Sequence, residues 1–274
     1  MPRFAAGIEY DGRAYSGWQH QPGLQTVQGT LQAALSRVAD SPVECTCAGR
    51  TDAGVHALAQ VVHFDSDAAR GERGFRLGAN TYLPGDVAVV WLREVPGHFH
   101  ARYSAGARSY RYVILNRDSR PGLAAGRATW ERRPLDAQRM HDAARCLIGE
   151  HDFSAFRAIE CQAKSPVRHV EALSVERAEE WVTLSITANA FLHHMVRNIA
   201  GLLISVGEGT SPPERVARVL AGRDRKQSAA TAPPDGLYLE SVRYPVEFGL
   251  PSPTVGSGLS SPGTQSAMIG RSRE

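Results

Sequence analysis

The chain has 274 residues, 42% of them hydrophobic and 22% charged, with a formal net charge of +3. That length accommodates one large domain or two of roughly 100–150 residues. The apolar content excludes global disorder, and no run of about 18 apolar residues exists to cross a membrane as a helix. Only Lys164 and Lys226 are lysines. Nearly all the positive charge is therefore arginine, which suits bidentate phosphate contact and stacking on bases. A GC-rich genome would give the same ratio, so composition permits an RNA partner and no more. The four cysteines (Cys45, Cys47, Cys146, Cys161) form no CxxC pair, so a zinc ribbon is unsupported and free thiols in a reducing compartment are expected. The opening MPRFAAGIEYDG turns acidic too early for a signal peptide, and a cytoplasmic location is expected.

In chain order, residues 3–10 read as a strand, followed by a turn at Asp11-Gly12. Val27, Leu31, Leu35 and Val38 recur at helical spacing and predict a helix over 26–39. Short strands follow at 45–48 and 59–65, then a helix near 72–80 and a strand at 87–92. The order β-α-β-β-α-β over residues 3–95 is the ferredoxin-like pattern. A second series has a long strand at 107–115, a helix at 134–147 opening on Pro134, and strands at 168–176 and 181–188 around a turn at Ala178-Glu179-Glu180. Helices at 192–206 and 213–221 and a strand at 236–243 complete it. The expected fold is α+β: two ferredoxin-like α/β sandwich units with antiparallel sheets and a cleft between them, with no convincing sequence repeat. The expected boundaries are 1–105 and 106–247, with a Gly/Ser/Pro-rich tail at 248–274 predicted to be disordered.

The stretch Gly49-Arg50-Thr51-Asp52-Ala53-Gly54-Val55-His56-Ala57 lies between two predicted strands. Its glycines permit backbone angles closed to other residues, so the loop can present Asp52 and Arg50 at a cleft. An isolated aspartate of this kind is also a common turn residue bonding its own backbone. On the helix at 192–206, Leu192, Met195, Val196, Ile199, Leu203 and Val206 form an apolar stripe. His194, Arg197, Asn198 and Gly201 fall on the opposite, polar face.

The nine-residue string resembles the catalytic loop of the tRNA pseudouridine synthase A family. The resemblance extends to Tyr10-Asp11-Gly12 with Tyr15-Ser16-Gly17-Trp18-Gln19, to Thr26-Val27-Gln28-Gly29 with Leu31, and to Phe99-His100-Ala101-Arg102. It continues through Arg108-Ser109-Tyr110-Arg111-Tyr112, Asn189–Asn198, Ala232-Pro233-Pro234 and Gly236-Leu237-Tyr238-Leu239. These matches run in order over roughly residues 4–245. Gln32, where an acidic residue is common, and the tail after about Phe248 depart from the pattern.

The resemblance implies isomerisation of uridine to pseudouridine at positions 38, 39 and 40 of the tRNA anticodon stem-loop. It implies a homodimer whose two subunits contact one tRNA. Asp52 matches the nucleophile and Arg197 its ion-pair partner. Tyr110 matches a residue that contacts the target base and whose phenol can take part in proton transfer. Leu237 is placed as a wall of the uracil pocket. Arg50 is expected to contact phosphate or fill the space of a flipped base. Arg102, Arg108 and Arg168, with Arg13 and Arg111, are candidates for phosphate contact.

The reaction oxidises nothing and releases no group, so neither a cofactor nor a metal is expected. His193 and His194 are adjacent and should diverge on a helix. His98 and His100 share a strand face without a third ligand. The competing readings are a non-catalytic RNA-binding protein of the same sheet type and a metal-dependent nuclease, which would need clustered carboxylates.

Overall fold

A computed structural model describes residues 1–251. The first half runs β1 (Arg3–Tyr10), α1 (Val27–Ala39), β2 (Thr46–Cys47), β3 (His56–Asp65), α2 (Gly71–Tyr82) and β4 (Val87–Val95). The second runs β5 (Ala107–Asn116), β6 (Thr129–Glu131), α3 (Ala137–Ala144), β7 (Gly149–Asp152), β8 (Val167–Ala178), β9 (Trp181–Ala188), α4 (Met195–Gly207), α5 (Glu214–Gly222) and β10 (Leu237–Arg243).

Local chemistry accounts for the better-predicted elements. The Thr26 hydroxyl caps α1 by accepting from the Gly29 amide. Val27, Leu31, Leu35 and Val38 are buried, as the helical spacing requires. The helix stops where Asp40 turns left-handed at φ 52°. In β9, buried Val182, Leu184, Ile186 and Ala188 alternate with half-buried neighbours, the signature of a strand with one core face.

Among the described residues the strands form one ten-stranded sheet. Its order is β4-β1-β3-β10-β5-β9-β8-β7, with β2 beside β3 and β6 beside β5. Pairing is antiparallel except for β10 with β3 and β5 with β6. The fold is thus α+β, as expected. The last strand matters most for the site. β10 enters the middle of the sheet, with Tyr238 opposite His56 of β3 and Leu239 opposite Tyr110 of β5. One continuous apolar core runs through both halves.

Several expectations need correction. The helix predicted from Pro134 starts at Ala137, because the Asp136 side chain accepts the Arg139 amide and so defines the cap. The helix predicted from Leu192 starts at Met195, because His194 is left-handed at φ 61°. The strand carrying His98 and His100 does not exist; this is a loop in which the His100 ring sits against His63 and Tyr103. β6 and β7 were not anticipated. The expected tail begins too early: Phe248 is buried and its ring packs against Phe99 at 5.0 Å. Residues 252–274 of that expected tail lie outside the described residues.

Candidate active site

The loop before β3 is held from beneath by buried polar groups. Gln60 of β3 donates to the Gly49 carbonyl at 2.6 Å, and the Tyr10 and Thr51 hydroxyls share a bond of 2.8 Å. The Trp18 amide donates to the Thr51 carbonyl at 3.0 Å, and the Val55 amide to the Asp52 carbonyl at 3.1 Å. Two glycines are required by space. Gly17 (φ 90°) would place a Cβ 2.9 Å from the Thr51 carbonyl oxygen, and Gly54 (φ 78°) would place one 2.9 Å from the Pro234 ring. The motif residues distant in sequence, Tyr10, Gly17, Trp18 and Pro234, thus brace one loop.

That loop presents Asp52 to the start of α4. An Arg197 Nη1 donates to Asp52 Oδ2 at 3.1 Å, and the two side chains are 14% and 18% exposed. His193 Nε2 lies 3.2 Å from Oδ1, and His194 Nε2 lies 3.4 Å from Oδ2. Burial alone would raise the Asp52 pKa. The His193 hydrogen bond and the charges of His194, His193 and Arg197 outweigh it and hold the carboxyl below its ordinary value. In return, the bond to Asp52 raises His193, whereas burial lowers His194.

Arg197 is fixed independently of Asp52. Its Nε donates to the Ala232 carbonyl at 2.8 Å, and its own carbonyl accepts the Ala232 amide at 3.1 Å. The next residue, Asn198, is fully buried. Its Nδ2 donates to the Phe156 carbonyl, and its Oδ1 accepts from Arg225 Nη2 and the Thr231 hydroxyl. The face of α4 predicted as polar is polar in composition, but it is covered by the segment leading into β10.

Tyr110 stands behind Asp52. It is buried, its ring meets Phe191 edge-on at 4.9 Å, and a Cβ on Gly49 would lie 3.7 Å from its hydroxyl. Burial and then the Asp52 charge push its phenol well above the ordinary tyrosine range. Leu237 is buried opposite Tyr112, and Leu239 opposite Tyr110, so these four side chains share one face of the sheet.

The arginines divide into two groups. Arg50 and Arg102 are exposed, and the Arg102 guanidinium lies over the Tyr103 ring. Arg168 is half-buried and donates to the carbonyls of Ser165 and Val167. Burial lowers its pKa, Cys161 opposes that, and the charges of Arg157 and Arg102 lower it further. Arg108 contradicts the expectation of phosphate contact. It is 8% exposed and its guanidinium donates to four carbonyls, those of Ala105, Asn189, Ala48 and Arg102. Arg13 is bound to Asp11 and Arg111 to Glu240, so each is already paired within the chain.

The two histidines were missed as parts of the site. They were expected to diverge on a helix, but they precede α4, and the left-handed turn at His194 brings their ring centroids to 4.1 Å on one carboxylate. No periodic signal marks the reversal at His194, so the spacing placed both residues inside the helix.

An α+β sheet whose central seam carries a braced, ionised carboxylate beside a buried tyrosine defines a carboxylate-centred site. A family model described as tRNA pseudouridine synthase matches residues 6–104 and 143–245. The chain is 58% identical over 248 residues to the tRNA pseudouridine synthase A of Methylococcus capsulatus, covering 90% of this chain and 92% of that one. It is 52% identical to that of Cronobacter sakazakii, covering 93% and 94%, and 55% identical to that of Xanthomonas axonopodis pv. citri, covering 91% and 98%. The chain belongs to the tRNA pseudouridine synthase family.

Proposed function

We propose that the protein isomerises uridine to pseudouridine at positions 38, 39 and 40 of the tRNA anticodon stem-loop, with Asp52 as the nucleophile. The observation that carries this reading is the convergence of Arg197, His193 and His194 on Asp52, which keeps a largely buried carboxylate ionised. The reaction breaks the N1–C1′ bond, joins C5 to C1′, and moves one hydrogen from C5 while N1 gains one. Composition and oxidation state are unchanged, so an anionic nucleophile and proton transfers suffice. Attack at ribose C1′ and attack at uracil C6 both start from this carboxylate.

Arg197 keeps Asp52 charged. Tyr110 contacts the flipped base and its phenol takes part in proton transfer, and Leu237 forms a wall of the uracil pocket. Arg50 reaches the phosphate or the space left by the base, while Arg102 and Arg168 lie along the RNA path. The order fourth-first-third-second, seen as β4-β1-β3-β2 and as β10-β5-β9-β8, supports two ferredoxin-like units, residues 1–105 and 106–247, with the base bound in the cleft between them. The protein is read as a cytoplasmic homodimer.

The test is incubation with unmodified tRNA transcripts bearing uridine at positions 38 to 40, without added cofactor, with pseudouridine mapped by chemical labelling. Product at those positions is expected. Tight, salt-sensitive binding with no product would favour a non-catalytic RNA-binding protein.

A further inference from the structure

The groups that hold Asp52 also form a ligand set. One ring nitrogen each from His193 and His194 and one Asp52 carboxylate oxygen all lie within 4.8 Å of one another. With metal–ligand bonds of about 2.0–2.2 Å, neighbouring ligands of a tetrahedral ion stand about 3.3–3.6 Å apart. The two imidazole-to-carboxylate separations are 3.2 and 3.4 Å. The three donors come from two places, the braced loop and the left-handed turn that leads into α4, and they already face one another. All three side chains reach solvent, at 39%, 29% and 18% exposure, so an ion can enter and water can complete its coordination.

We propose that Asp52, His193 and His194 form a site for an imidazole-seeking divalent cation of the zinc, cobalt or nickel kind, and that the ion inhibits the enzyme by occupying the carboxylate in competition with RNA. The inhibition rests on Asp52 being the nucleophile; the binding does not. The donor set selects the class of ion. Two neutral imidazoles and one carboxylate favour later first-row metals, whereas magnesium and calcium prefer oxygen ligands. Arg197 sharpens the choice, since its charge beside Oδ2 opposes a cation held by charge alone. Binding is ligand exchange without redox change. Each Nε2 lone pair takes up the metal, and the proton that Nε2 carried moves to Nδ1 or to solvent. Cys161 is the nearby thiol to be controlled for, because its Sγ accepts the His193 amide at 3.5 Å.

The experiment titrates chelator-treated full-length protein with cobalt(II) in the absence of RNA, following visible absorption, with zinc binding measured in parallel by calorimetry. One saturable site per chain is expected. His193→Gln and His194→Gln should each weaken it at least about tenfold, with folding verified by circular dichroism, while Cys161→Ser keeps the wild-type affinity and magnesium does not compete. Absence of a saturable site, or binding indifferent to both histidine substitutions, would overturn the proposal. With tRNA present, zinc should raise the apparent KM and leave kcat unchanged. Histidine-dependent binding without inhibition would uphold the site and count against Asp52 as the nucleophile. Inhibition without binding to the protein would place the ion on the RNA and overturn the proposal.

Discussion

At the scale of single residues, Asp52 reacts to two opposed influences. Burial favours its neutral form, and three cationic or hydrogen-bonding neighbours favour the anion. The neighbours win, so the acid limb of turnover should lie below the ordinary aspartate value of about 3.9. In Arg197→Ala one of the opposing charges is gone and the limb should move upward, with turnover at neutral pH falling at least about a hundredfold. A profile of kcat/KM against pH for both proteins checks this; coincident acid limbs would remove Arg197 from the account. The sign for stability follows from the lowered value. The contribution of Asp52 is fully present above its unfolded pKa and is lost as pH falls through its folded pKa. The stability difference between wild type and Asp52→Asn should therefore shrink on acidification below about pH 4, as read by urea melts. The pairing of Asp52 with Arg197 was legible because each stood in an ordered motif. The histidine contacts were not, because they depend on a backbone reversal at His194 that periodicity does not encode.

At the scale of elements, the arginines separate by what surrounds them. Arg108 and Arg50 are both motif arginines, and sequence gives no means of telling a buried guanidinium from an exposed one. The structure ties Arg108 to four carbonyls on three separate segments. Arg108→Ala should destabilise the fold by about 2–3 kcal/mol, since several buried acceptors lose a charged donor. Arg50→Ala should leave stability unchanged and weaken tRNA binding and turnover. Thermal melts paired with binding titrations distinguish the two, and a stable Arg108→Ala that fails only in RNA binding would reverse this assignment. Asn198→Ala should likewise cost about 2–3 kcal/mol by orphaning the Phe156 carbonyl and the donors from Arg225 and Thr231. Most elements were readable from apolar periodicity. Those that were not, β6 and β7, have three and four residues, too few to show a period. The starts of α3 and α4 were misplaced because a cap and a left-handed residue set them.

At the scale of the whole molecule, β10 links the two halves and brings the segment at residues 229–234 against both Arg197 and Gly54. The order of elements was legible. Their union in a single sheet was not, because no local pattern records which edge receives the final strand. With a net charge of only +3, RNA affinity must come from where the arginines stand. Affinity should fall steeply between 50 and 200 mM salt, with each phosphate contact adding about 0.7–0.9 to the logarithmic slope. The double variant Arg50→Ala, Arg102→Ala should have the shallower slope, measured by fluorescence anisotropy; equal slopes would place the phosphate contacts elsewhere.

The central claim is that Asp52 is the group that attacks, and the most direct test is single-turnover isomerisation by Asp52→Asn at saturating enzyme, with tRNA affinity measured on the same preparation. The asparagine keeps the size and leaves the loop braced by Gln60, Tyr10 and Trp18. A rate lower by at least about a thousandfold, with tRNA affinity retained, is the predicted result. A rate close to that of wild type would contradict the claim and return the site to a binding role.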